Sequence, residues 1–412
     1  MTQRRRTPRT RPPRRLTPHQ AEARIALLRK RRVAIRSTPE NLDLPLDRHV
    51  EVRGEPPCHN LVLVVDGQDV SSLAVVDFRQ QVGSGLVRMG GIAGVGTPGD
   101  HRFRGYGRRV MESSLRWMRA AGFETTMLYG IPSYYPKFGY AQAFPSVSFS
   151  LAARDAGIAR AGAWRFVAFR RDEHLRAVLR MYHRNVAGRT GPTRRDPKHW
   201  RPFRKGIAYN SQAICKVAID PQGRPAGYFV YDAGHETATV IEVGFARRGV
   251  FPAILAAAGR LAARRRIEKV QLLLPEDDAF VEFCKPMGLH KEVHYRAAGG
   301  GHVRMVNIPA ALTSLAAELG SRMSGRGQLT VRTNLDDVHL SWSGGRLRVG
   351  PPRRGGPQAR LPQWALAQML YGYRRAESLA AEGVVRASAD AVGALAEMFP
   401  VGPHYHYLVD HF

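Results

Sequence analysis

The stretch that most restricts what this chain can fold into runs from residue 88 to 140, RMGGIAGVGTPGDHRFRGYGRRVMESSLRWMRAAGFETTMLYGIPSYYPKFGY. A strand of small residues reaches a tight turn at Thr97-Pro98-Gly99. Arg102-Phe103-Arg104-Gly105-Tyr106-Gly107 follows it. Val110, Met111, Leu115 and Met118 then recur at helical spacing, and Gly122 is placed to end that helix. The glycines and arginines therefore sit at a strand-to-helix junction. The first N–H groups of a helix have no internal partner, and the helix dipole favours an anion there.

Gly105 and Gly107 carry no Cβ, so phosphates can approach the main chain closely, and Arg102, Arg104 and Arg108 add positive charge. The pattern is neither a P-loop, having no Gly-Lys-Ser/Thr, nor a three-glycine dinucleotide fingerprint with its downstream acid. Taken alone, two glycines also describe an ordinary tight turn.

The stretch resembles motif A of the GNAT N-acetyltransferases, Arg/Gln-x-x-Gly-x-Gly/Ala, with Arg102, Gly105 and Gly107 matching position by position. Downstream, Tyr135-Pro136-Lys137-Phe138-Gly139-Tyr140 is similar to the Tyr-x-Arg/Lys-Phe-Gly-Tyr signature of the Eis-like (enhanced intracellular survival) subgroup. The resemblance implies that acetyl-CoA is the co-substrate. Its pyrophosphate is expected at Arg102, Phe103, Arg104, Gly105, Tyr106, Gly107 and Arg108, and its pantetheine amides along Val95, Gly96 and Thr97. Gly130 and Ile131, at the exit of the next strand, complete the expected cofactor site.

At 412 residues the chain exceeds a single core, and two or three domains are expected. The resemblance implies an α/β (α+β) chain: tandem GNAT domains with mixed, mostly antiparallel sheets flanked by helices, closed by a sterol-carrier-protein-like α/β domain. The expected divisions are a disordered basic arm at 1–15, an acetyl-CoA-binding GNAT domain at 16–160, a degenerate second GNAT domain at 161–300 and the sterol-carrier-like domain at 301–412. Residues 1–15 hold seven arginines, three prolines and no acid, a composition that cannot build a core. Residues 17–35 suit one helix, capped by Thr17. The resembled family places two acceptor-side helices here, so the acceptor pocket is expected to depart from it.

The strand pattern begins near residue 60. Asp66-Gly67 reads as a hairpin turn between strands at 61–65 and 70–78, and 86–97 and 125–129 follow as strands. Val147, Phe149 and Leu151 alternate with serines as a half-buried strand. In the second unit, strands are expected at 164–169, 214–219, 227–231, 237–243 and 270–274, with a helix over 252–265. Residues 245–251 (FARRGVF) stand where a second phosphate turn would be, but one glycine followed by Val250 and Phe251 reads as a site that has lost CoA. In the third unit, helices are expected at 309–323, 362–370 and 387–398, with strands near 329–332, 338–341 and 347–349. Its apolar positions read as core rather than a lipid tunnel.

Transfer of an acetyl group to an amine needs a base for the amine and an acid for the departing thiolate. A phenol of ordinary pKa about 10 stays protonated and can donate. By resemblance Tyr135 takes this role, with Tyr134 and Tyr140 as neighbouring competitors and a packed Pro-Phe-Gly turn as the purely structural alternative. The chain closes on Tyr405-His406-Tyr407-Leu408-Val409-Asp410-His411-Phe412, aromatic where a frayed end is polar. In the resembled family the terminal α-carboxylate is the general base, which makes Phe412 the candidate here. His411 and Asp410 are alternatives, as is a tail that merely packs. No Ser/His/Asp or Cys/His nucleophile arrangement is evident, consistent with direct transfer.

Cys58, Cys215 and Cys284 show no ligand spacing. His404, His406 and His411 lack a helical i, i+4 pair, so no metal is expected. Glu276, Asp277 and Asp278 read as a helix start. No apolar run of about 18 residues occurs and no secretory signal is evident, so a cytoplasmic protein without a membrane partner is expected. The charge of +29, from 63 Lys+Arg against 34 Asp+Glu, suits a polyanion such as CoA; nucleic acid is expected only through the basic arm, since no zinc-finger, homeodomain or RNP motif is present. The partners expected are acetyl-CoA and an amine, on a small molecule or a protein lysine, and the family implies a homo-oligomer. A catalytically inactive CoA-binding scaffold, or a basic nucleic-acid-associated protein of the same fold, is the alternative. Transfer of a longer acyl chain is a third, because residues 90–96 make a slim strand beside the thioester.

Overall fold

Asp66 (φ 51°) and Gly67 (φ 74°) both take positive φ, the geometry that a two-residue hairpin requires. They join β2 (Cys58–Val65) to β3 (Gln68–Val82) with Val65 opposite Gln68. The structure is a computed structural model that describes residues 40–412 except 132–133, 161, 208–210, 235, 297–298 and 403. The expected basic arm and the helix over 17–35 lie outside the described residues. Elements are numbered over the described part of the chain.

β4 (Gly85–Gly96) pairs antiparallel with β3, and β1 (Val50–Arg53) adds to the free edge of β2. Helix α1 (Tyr106–Ala120) crosses over from β4 to β5 (Thr125–Tyr129), which runs parallel to β4. Val110, Met111, Leu115 and Met118 are its buried stripe, and Gly122 at φ 79° turns the chain out of it. The sheet is completed by β6 (Ala141–Phe144) and by a strand from far downstream, β14 (Gly301–Met305), in the order β1-β2-β3-β4-β5-β14-β6.

The second sheet repeats this plan. β8 (Arg165–Ala168), β9 (Ala213–Ile219), β10 (Pro225–Asp232), β11 (Thr239–Phe245) and β12 (Lys269–Leu272) occupy the places of β1 to β5. β7 (Ser146–Ala152) and β13 (His290–His294) complete it, in the order β13-β7-β12-β11-β10-β9-β8. Helices α2 (Ala153–Ile158), α3 (Arg171–Asn185), α4 (Phe251–Arg265) and α5 (Ala279–Cys284) flank it. Asp278 caps α5 by accepting from the Phe280 N–H, the role expected of that acidic run.

The two sheets exchange a strand. β7 leaves the first sheet's sequence to pair between β12 and β13, and β14 returns to pair between β5 and β6. Divisions at 160/161 and 300/301 therefore do not follow the sheets. Alternation of apolar residues marks β7 as a half-buried strand but carries no information about its partner.

A third sheet has the order β17-β16-β15-β18-β19, from β15 (Arg326–Arg332), β16 (Asp337–Ser343), β17 (Arg346–Gly350), β18 (Gln358–Arg360) and β19 (Arg386–Ala387). Its helices are α6 (Ile308–Ser314), α7 (Ala316–Arg322), α8 (Gln363–Leu370), α9 (Ala376–Ala381) and α10 (Ala389–Met398). The single helix expected over 309–323 is two, broken at Leu315 (φ −97°, ψ 4°). Thr313 Oγ1 donates back to the Pro309 carbonyl, a bond that bends helices. The apolar side chains of this unit share one core with the first sheet, with Leu329, Val331 and Leu366 in the same cluster as Met89, Met127 and Val303. Gln363 ties the two by accepting from the Met305 N–H and donating to the Gly139 carbonyl. Among the described residues no helix is long and apolar enough to cross a membrane.

Candidate active site

The site forms where the first sheet opens. β4 and β5 pair from Met89/Thr125 to Ile92/Leu128, and there the pairing stops while β4 continues to Gly96 on β3 alone. Among the described residues, the β4 edge at Val95 and Gly96 is thus left without a strand partner. Ser71 Oγ donates to the Gly96 carbonyl at 2.9 Å and lies 2.9 Å from Thr97 Oγ1, which fixes the end of the strand. Arg102 Nε returns to the Thr97 carbonyl at 3.1 Å and closes the turn.

Gly105 (φ 80°) opens α1 in the left-handed region, and no side chain caps the helix. Its carbonyl takes the N–H groups of Arg108 and Arg109. The N-terminal turn of α1 therefore presents main-chain donors beside Tyr106 and Gly107. The three arginines expected there are not equivalent. Arg102 braces the turn, Arg104 is exposed, and Arg108 pairs with Glu112 at 2.8 Å. Phe103 is fully exposed with φ 62°, and Tyr106 stands near His101, with ring centroids 6.2 Å apart.

Two tyrosines face this opening in different places. A Cβ on Gly107 would lie 3.0 Å from the Tyr134 hydroxyl, and a Cβ on Gly130 would lie 2.0 Å from the Tyr135 ring. Tyr134 thus reaches the start of α1, and Tyr135 lies against the strand exit just past the last β5 pair. Ile131, next to Gly130, is exposed. Burial raises the pKa of both phenols. Tyr140 is fully buried with its hydroxyl 3.1 Å from Thr126 Oγ1, which leaves it a structural part.

The C-terminal tail reaches the same strands from the other face. Gly90 backs onto α1, where an added Cβ would meet Met118 Sδ at 2.4 Å, and Gly91 backs onto Phe412, whose ring an added Cβ would meet at 2.6 Å. Phe412 also stands near Phe78 and Tyr129, at centroid distances of 5.7 and 6.0 Å. Upstream, Thr190 and His404 form a bridge and Tyr405 donates to the Thr190 carbonyl. The Asp410 carboxylate accepts from Arg195 at 2.9 Å and from Trp200 Nε1 at 3.1 Å. Arg195 is fully buried, pairs also with Glu242, and stacks over Tyr182 at 3.5 Å. With its carboxylate held in this ion pair, Asp410 anchors the tail.

His406 Nδ1 meets the Tyr129 hydroxyl at 2.7 Å, and His411 stacks on Tyr129 at 4.0 Å and on His406 at 5.2 Å. Burial pushes His406 down to about 3, and burial beside His406 and Lys205 holds His411 well below its ordinary value. Both imidazoles are neutral at neutral pH. Among the described residues no group of three His, Cys, Asp or Glu side chains is placed to hold a metal ion.

Phe412 and His411 line a cavity of about 630 Å³ with Phe78, Trp200 and Val409. A second cavity of about 480 Å³ includes His411 and Tyr129 but not Phe412. At the corresponding turn of the second sheet the space is filled. Val250 and Phe251 are buried, Phe251 stacks edge-on to Phe245 at 4.8 Å, and a Cβ on Gly227 would meet Val250 at 2.9 Å.

Sequence reasoning singled out neither Tyr129, Arg195 nor Glu242 as site residues, and Gly91 only within the slim stretch 90–96. Only the Gly90-Gly91 pair carried a readable signal, as two positions where both faces of a strand admit close neighbours.

Residues 37–143 match the family described as acetyltransferase (GNAT) domain, and residues 324–407 match the sterol carrier protein domain family. No curated protein matches the chain. Among solved structures, a probable N-acyltransferase from Enterococcus faecalis V583 is similar over 86% of this chain and 89% of its own, at 14% identity and TM-score 0.70. A GCN5-related N-acetyltransferase from Anabaena variabilis is similar over 86% and 89%, at 17% identity and TM-score 0.66. Eis1 from Mycobacterium abscessus is similar over 86% and 90%, at 18% identity and TM-score 0.61. These likenesses are of fold. Together with the two domain matches they show a chain that carries a GNAT acetyltransferase domain and a sterol carrier protein domain within an overall fold shared with Eis1.

Proposed function

We propose that the chain transfers an acetyl group directly from acetyl-CoA to an amine, with Tyr135 as general acid and the α-carboxylate of Phe412 as general base. The observation that carries this reading is the opened β4–β5 ladder with Tyr135 against Gly130 and Phe412 against Gly91. The uncapped start of α1 suits the pyrophosphate, and the free edge of β4 at Val95 and Gly96 suits the amide groups of the pantetheine.

The step balances as follows. The neutral amine nitrogen forms the new N–C bond to the thioester carbon, and the C–S bond breaks with its electron pair going to sulfur. Tyr135 donates its phenolic proton to that sulfur and regains one from solvent. The Phe412 carboxylate takes the proton lost by the nitrogen, directly or through water. Burial supports the acid role, because a phenol with raised pKa stays protonated at neutral pH. An ammonium of ordinary pKa near 10.4 needs help to lose its proton, which a carboxylate beside a desolvated cleft supplies.

Titration with acetyl-CoA, followed by thiol release in the presence of a panel of primary amines, tests this. Saturable binding and amine-dependent release are expected, with Tyr135→Phe lowering kcat about 10²-fold at unchanged acetyl-CoA affinity. Binding without release for any amine would identify the CoA-binding scaffold instead. Absence of binding would contradict the assignment of the α1 turn.

A further inference from the structure

The cavity beside Phe412 is strongly basic, its cations outnumbering the Phe412 α-carboxylate that shares it. Arg79, Arg194, Arg201, Arg204 and Lys205 all line it. None of the five has a carboxylate partner among the described residues. Beside the Phe412 α-carboxylate, the side-chain carboxylates in the same wall each have a partner. Asp77 pairs with Arg88 at 2.6 Å, Asp196 with His199 at 2.7 Å and Asp410 with Arg195 at 2.9 Å. Phe78, Trp200, Val409 and Phe412 add apolar surface to the same lining.

These cations are not needed for CoA. The cavity shares no residue with the phosphate turn at 95–108, and Phe412 meets β4 at Gly91, on the face opposite the one Gly90 presents to α1. Like charges in a partly desolvated cleft repel a second ammonium and favour the neutral form of an amine, which is the nucleophilic form. They also attract an anion, and a 630 Å³ cavity is of small-molecule size. Lys205 is half-buried, and that burial lowers its pKa, so it too sits in partly dry surroundings.

Resting on the acetyltransferase reading, we infer that the acceptor is a small amphipathic amine that bears a carboxylate or phosphate, held by the cations at 194–205 with its apolar body on Trp200 and Phe78. A polycationic amine is the substrate class that this cleft rejects.

The test compares kcat/KM for four probes with acetyl-CoA: 2-phenylethylamine, 4-(2-aminoethyl)benzoate, tyramine O-phosphate and spermine. The two anionic amines are expected to exceed phenylethylamine by roughly tenfold, with spermine the poorest. Their relative rates tell carboxylate from phosphate. The advantage is expected to shrink with added salt. In the double variant Arg201→Glu/Arg204→Glu, the ratio of anionic to uncharged-body amine falls about tenfold. Turnover of phenylethylamine or spermine as fast as the anionic probes would overturn the inference and leave acetyl transfer standing. Loss of acetyl-CoA binding in the double variant would also overturn it, by assigning the cations to CoA. If no amine is turned over, the catalytic reading fails and calorimetric titration with tyramine O-phosphate decides the anion site. Binding lost in the double variant supports it; no binding to the parent protein overturns it.

Discussion

Gly91 sits between the ring of Phe412 and the strand beside which the thioester is proposed to lie. A methyl there would come within 2.6 Å of the ring, and a terminal side chain can move aside more readily than a strand. Gly91→Ala is therefore expected to fold, to bind acetyl-CoA as the parent does, and to lower kcat by up to about 10²-fold through misplacement of the carboxylate. Steady-state kinetics with acetyl-CoA titrated separately check this; unchanged kcat would remove Phe412 from the reaction. At this scale the sequence made the strand-to-helix junction legible, because glycines and arginines there have a physical meaning wherever they occur. It left Gly91 only as part of a slim strand. What Gly91 makes room for comes from 321 residues downstream, and no local pattern carries that information.

The tail is a short element held by buried polar contacts rather than by regular structure. Asp410, Arg195 and Glu242 form one buried ionic group, and removing Arg195 would leave two unpaired carboxylates inside the protein. His406 and His411 form the other part of the lock. The His406 pKa is lowered from 6.5 to about 3, first by burial and then by Arg195. Since the unfolded chain takes up this proton below its ordinary pKa, the unfolded state binds more protons between those values. Stability from His406 is thus complete above pH about 6.5 and is lost as pH falls toward 3. At pH 5 the loss is about 2 kcal/mol. Thermal melts between pH 7.5 and 5 are expected to show a steeper fall in Tm for the parent than for His406→Gln, and parallel curves would contradict the lock. Helical and strand periods announced most elements. The α3 helix went unnamed, although His174, Val178, Met181 and Tyr182 form a buried stripe on it. The break at Leu315 depends on a hydroxyl-to-carbonyl bond that periodicity does not express.

Across the whole molecule, the exchange of β7 and β14 makes each of the first two sheets incomplete without a strand from the other's stretch of sequence. The third unit shares its core with the first, and the tail then runs into the junction of the first two. Three stretches of strand pattern were legible in the sequence, whereas this interlocking is made of pairings between residues 117 or more positions apart. The net charge of +29 was legible only as a total. Its concentration beside Phe412 becomes visible once the loop at 194–205 is placed against β3. The same convergence brings Tyr135 and Phe412 to opposite sides of one opened pair of strands, and the proposed transfer depends on both. The most direct measurement replaces the Phe412 α-carboxylate by the near-isosteric amide through semisynthesis and follows amine-dependent thiol release from acetyl-CoA. Unchanged acetyl-CoA binding with release lowered at least about 10²-fold is the predicted result, and release at the rate of the native carboxylate would contradict the account.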